Sequence, residues 1–72
     1  MDDEQQTGIA EAVEKAGTQR ALADKLGCTQ QVVSEWVRRG HVPLDRADEI
    51  ETAYGIAKKR LLSPRLAALI SA

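Results

Sequence analysis

Gln30, Gln31, Ser34, Glu35 and Arg38 lie within nine residues of one another. At about 100° per residue of helix they share one side of the segment, with Gln30 at its edge in the first turn. Such side chains read base edges: Gln pairs with adenine N6 and N7, Arg with guanine O6 and N7, Glu accepts from cytosine N4, and Ser serves either polarity. Val32, Val33, Trp36 and Val37 fill the other arc and are expected to face a core, so Trp36 is expected to pack rather than stack on bases. The same polar set would equally suit the wet face of any helix. The neighbouring elements must decide between the two.

They favour base reading. Thr18 is placed to cap a helix carrying Ala21, Leu22, Ala23 and Leu26 inward, and Gly27 ends it. Thr29 then caps the helix of the polar set, which Gly40 ends. Two short helices joined only by Gly27-Cys28-Thr29 must cross steeply, the arrangement of a helix-turn-helix. Ala23 is small where the helices approach, and Gly27 suits a left-handed break. Gln19 and Thr29, at helix N-termini, and Arg20 and Arg39 on the flanks are the candidates for phosphate contacts. Lys58 and Lys59, in the run Lys58-Lys59-Arg60, could grip the backbone further out, although such a run in a connection is commonly just solvated.

The rest of the chain narrows the choices. Seventy-two residues hold one domain, with a small aliphatic core and no deep substrate cavity. No paired acid and base, Gly-rich phosphate loop or metal-ligand set is present, so neither an enzyme nor a cofactor is expected. Cys28 has no disulfide partner, and with His41 it falls short of the four ligands of a structural zinc. Cys28 is expected to be a small, partly buried filler, and His41 an ordinary loop residue. The apolar runs fall far short of the ~20 residues that cross a bilayer. The acidic N-terminus is unlike a signal peptide, and a cytoplasmic protein that meets no membrane is expected.

The net charge of -1 is a weak recommendation for binding nucleic acid, since counterion release needs Lys and Arg facing phosphates. Its distribution is uneven. Residues 1–19 carry five carboxylates against Lys15, whereas residues 20–46 net +2 and residues 47–72 net +1. A weak basic footprint and a normally solvated surface fit these values equally well.

Periodicity predicts an all-α bundle of about five short helices, with no strand pattern and no repeat. Ile9, Ala12, Val13 and Ala16 mark the first helix, ended by Gly17. Pro43 opens the fourth, with Leu44, Ala47, Ile50 and Ala53 on one face until Gly55. Ser63-Pro64 opens the fifth, with Leu66, Leu69 and Ile70 on one stripe. Residues 1–6 read as a disordered acidic arm, 7–62 as the helix-turn-helix domain and 63–72 as an apolar C-terminal helix. Leu61, Leu62, Leu66, Leu69 and Ile70 exceed what so short an end buries on itself, which nominates residues 61–72 as a dimer contact. Packing of that end across the first helix is the alternative.

The run Gln19-Arg20-Ala21-Leu22-Ala23-Asp24-Lys25-Leu26-Gly27, then Val33-Ser34-Glu35-Trp36, Val42-Pro43, Arg46, Ile50-Glu51 and Tyr54-Gly55, resembles the Cro/YdaS-type helix-turn-helix proteins of phages and prophages. The resemblance covers about residues 9–64. It implies a five-helix, lambda-repressor-like fold, binding of operator DNA as a dimer, and regulation of neighbouring genes; some relatives are labelled antitoxins. Leu61-Leu62-Ser63-Pro64 lacks the arginine of the family's Leu-Arg-Pro-like ending, and the chain is less basic than members that bind DNA well.

The leading expectation is therefore a sequence-specific regulator of transcription, a repressor that occupies a palindromic double-stranded DNA operator as a homodimer. The competing expectation is an antitoxin-like or anti-repressor-like module whose helix face or apolar tail grips a toxin or another regulator, with DNA contact incidental.

Overall fold

The structure is a computed structural model and describes residues 7–71; the expected acidic arm, residues 1–6, lies outside them. Six helices follow in order: α1 (Gly8–Ala16), α2 (Gln19–Leu26), α3 (Gln30–Arg39), α4 (Leu44–Tyr54), α5 (Lys58–Leu61) and α6 (Pro64–Ser71). The described residues contain no strand. The one helix beyond the expected five is α5, a single turn where a connection was expected.

The first three helices start alike. Thr7, Thr18 and Thr29 are extended, and each hydroxyl oxygen accepts the backbone N–H three residues on, from Ala10 at 3.1 Å, Ala21 at 3.0 Å and Val32 at 3.2 Å. Each cap satisfies one orphan donor and is worth about 1 kcal/mol.

α1 is the hub of the bundle and packs against α2, α3, α4 and α5. Its buried Ile9 and Ala12 meet Leu22 and Ala23 of α2, Val33 and Trp36 of α3, Ala47 and Ile50 of α4, and Val42, Ile56, Leu61 and Leu62 in one apolar cluster. No polar or charged side chain is buried among the described residues. Two backbone approaches close the bundle. The Val42 N–H donates to the Leu61 carbonyl at 2.8 Å, and Gly8 packs so tightly on α5 that a Cβ there would lie 2.5 Å from the Arg60 carbonyl oxygen.

Several expectations are corrected here. Leu61 and Leu62 are core residues, 0% and 4% exposed, and so cannot meet a second chain while the domain is folded. They turn inward because α5 delivers them beneath α1. α6 packs on α5 rather than across α1, leaving Leu66, Leu69 and Ile70 exposed. Leu44, expected inward, is 49% exposed, and Ala53 is exposed too; α4 buries Ala47 and Ile50 instead. Val32 is likewise 38% exposed, because the buried arc of α3 centres on Val33 and Trp36.

Candidate nucleic-acid interface

Helix α3 is positioned by its inner side and its two ends. Val33 is fully buried and Trp36 is 5% exposed, which fixes the rotation of the helix about its axis. At its start the turn from α2 is closed by a pair of backbone bonds: the Cys28 N–H donates to the Ala23 carbonyl at 3.0 Å and the Gly27 N–H to the Asp24 carbonyl at 3.3 Å. This is a Schellman closure. It requires the left-handed conformation that Gly27 adopts, φ 74°, where a side chain would be strained. Cys28 is half-buried against the core, as expected of a filler.

The turn is also braced from α4. Arg46 Nη1 donates to the carbonyl oxygen of Leu26, the last residue of α2, at 2.9 Å, and to Glu49 Oε1 at 2.8 Å. The Glu49 hydrogen bond, aided by that carboxylate's charge, raises the Arg46 pKa above its ordinary value although partial burial opposes it. Sequence reasoning assigned Arg46 no separate function. Its signal is a long cation three positions before a carboxylate on the helix that follows the bihelical unit.

With the inner side so held, Gln30, Gln31, Ser34 and Arg38 are all exposed, and Glu35 is half-exposed beside them. The structure thus brings the five expected base-reading residues onto one open face. Glu35 does not stand free. Its carboxylate meets Arg38 at 3.3 Å and Arg39 at 3.2 Å, with side-chain exposures of 42%, 72% and 60% respectively. Pairs so open to water are worth ~0.2–1 kcal/mol and are readily exchanged for a better anion. Thr29, Gln31, Val32, Glu35, Trp36 and Arg39 line a shallow groove along this face.

The expected phosphate ligands divide into two groups. Thr29 caps α3 with its oxygen and keeps its hydroxyl hydrogen to donate. Gln19 opens α2 half-exposed, and Arg20 and Arg39 are exposed on α2 and α3, which pack together. Lys58 and Lys59 are on α5, which packs against α1, α4 and α6 and not against α2 or α3. Lys58 is hydrogen-bonded and ion-paired to Asp48, which raises its pKa, and its backbone N–H donates to Glu51 at 3.2 Å. It serves to join α4 to α5. Lys59 is exposed.

Among the described residues no three His, Cys, Asp or Glu side chains gather to hold a metal ion, and no helix is long and apolar enough to cross a membrane.

Residues 9–62, three quarters of the chain, match the family model described as bacterial toxin YdaS. The chain belongs to the YdaS family. The match starts at Ile9 in the first turn of α1 and ends at Leu62. It therefore spans the whole apolar cluster and the α3 face, and leaves α6 outside the YdaS region. No curated protein and no solved structure gave a significant match.

Proposed function

We propose that this chain is a sequence-specific double-stranded DNA-binding regulator of transcription, a Cro-like repressor that works inside the cell as a homodimer on a palindromic operator. The observation that carries the reading is the open polar ridge of α3 on a helix held by Trp36 behind it and by the Gly27 turn before it, which Arg46 braces through Leu26. A rigid helix about 15 Å long with Gln, Ser and Arg outward has the shape and the donors to enter a major groove. α2 and α3 form the helix-turn-helix. Gln19, Arg20, Thr29 and Arg39 would hold the flanking phosphates, and α3 would read the base edges with Gln30, Gln31, Ser34, Glu35 and Arg38. Leu66, Leu69 and Ile70 offer the apolar stripe for the second copy, which would set half-sites about 34 Å apart.

The description of the family as a bacterial toxin favours a second reading, in which the chain acts by gripping a protein. Toxicity is also compatible with the first, since a protein seated on a promoter blocks its use.

Selection of duplexes from a random-sequence pool, followed by a salt titration of the enriched duplex, tests the proposal. DNA binding with Arg20 and Arg39 on phosphates should weaken with salt at a log–log slope of about -2 per protomer. Failure to enrich any duplex at low salt would overturn the reading and favour the protein-binding one.

A further inference from the structure

Val32 has no part in the core of this domain, and its surroundings make it an unusual surface residue. It is 38% exposed in the first turn of α3, whereas the other large exposed apolar residues are Leu44 on α4 and Leu66, Leu69 and Ile70 on α6. A lone apolar side chain on a surface has no meaning by itself. Val32, however, sits in the groove together with Gln31, Glu35, Trp36 and Arg39. Its backbone N–H is fixed by the Thr29 cap at 3.2 Å, and a β-branched side chain in a helix holds essentially one rotamer. Two methyl groups are thus presented at a set place, flanked by hydrogen-bonding side chains. The apolar spot is one side chain wide, far too small for a protein partner, and matches one methyl group. In duplex DNA the major groove displays one such group, the C5-methyl of thymine.

Resting on the DNA-binding reading above, we infer that Val32 is a specificity-determining residue that reads the C5-methyl of a thymine in each half-site. Neighbouring Gln31 would take the hydrogen-bonding edge of an adjacent base, so that apolar and polar readout alternate along the first turn. Desolvating one methyl group changes affinity about four-fold.

The test uses the duplex enriched from the random pool, with each thymine replaced singly by deoxyuridine, against the wild-type chain and Val32→Ala. Because Val32 is outside the core, the variant should melt as the wild type does. One thymine position per half-site should lose about four-fold on replacement with the wild-type chain, and Val32→Ala should bind the thymine and deoxyuridine duplexes equally. An enriched consensus without an invariant thymine, or a variant that still separates the two duplexes, would overturn the assignment of Val32 and leave the regulator reading standing. Failure to enrich any duplex would take down both.

Discussion

Arg46 and Leu26 are twenty residues apart, yet the guanidinium of the first donates to the main-chain carbonyl of the second at 2.9 Å. The acceptor is one of the orphan carbonyls at the end of α2, so α4 supplies the bond that the helix itself cannot. The turn that aims α3 is held from outside the bihelical unit.

Replacing Arg46 with Ala should cost about 1 kcal/mol of stability. A hydrogen bond to a charged donor is worth ~1.5–3 kcal/mol, but this side chain is 28% exposed and water replaces part of the loss. Urea denaturation gives the value. Arg46→Lys should recover little, since a lysine lacks the fork that spans Leu26 and Glu49.

Gly8→Ala should destabilise the domain although it improves helix propensity. Alanine gains about 1 kcal/mol in a helix interior and less at the first helical position, which Gly8 holds. The added Cβ would lie 2.5 Å from the Arg60 carbonyl oxygen and 2.7 Å from its carbon, and relief requires α5 to move, which typically costs ~1–3 kcal/mol. A lower melting temperature is the expected outcome; a raised one would mean that α1 and α5 are not in register as described.

Glu35→Gln should tighten binding to DNA. The carboxylate occupies both Arg38 and Arg39 in the free chain. Its removal leaves Arg38 free for a base edge and Arg39 free for a phosphate with no competing carboxylate, so affinity should rise while the salt slope stays close to that of the wild type. Fluorescence anisotropy on the enriched duplex would measure both quantities. If Glu35 itself accepts from a cytosine, the tightening should be confined to unrelated duplexes.

Self-association should be weak and concentrated on α6. Leu66, Leu69 and Ile70 are what remains of the expected contact once Leu61 and Leu62 are placed in the core. Burying what these three side chains still expose, 38%, 69% and 51%, yields roughly 2–5 kcal/mol, no more than the low end of the entropic cost of association. Serine at all three positions should leave the helical circular dichroism unchanged and abolish dimers in light scattering at high concentration. Dimers that persist would locate the contact elsewhere.

What could be read in the sequence followed the strength of local signals. Thr18, Gly27, Thr29 and Gly40 bracket α2 and α3 because caps are local chemistry, and the polar face of α3 followed from rotation alone. Val32 was misplaced because rotation shows which residues are neighbours but not where the buried arc is centred; that is set by Trp36 meeting the other helices. α5 escaped notice since four residues, three of them cationic, carry no periodicity. Ile56, Leu61 and Leu62 then became core through that hidden turn. Gly8 and Arg46 act through Arg60 and Leu26, and long-range partners leave no local trace.

The most direct test of base reading by α3 is the affinity of Gln31→Ala and Arg38→Ala for the enriched duplex and for a scrambled duplex of equal length, at one salt concentration. A loss of about 1–3 kcal/mol on the enriched duplex alone is expected. Equal losses on both duplexes would contradict it and reduce these side chains to backbone contacts.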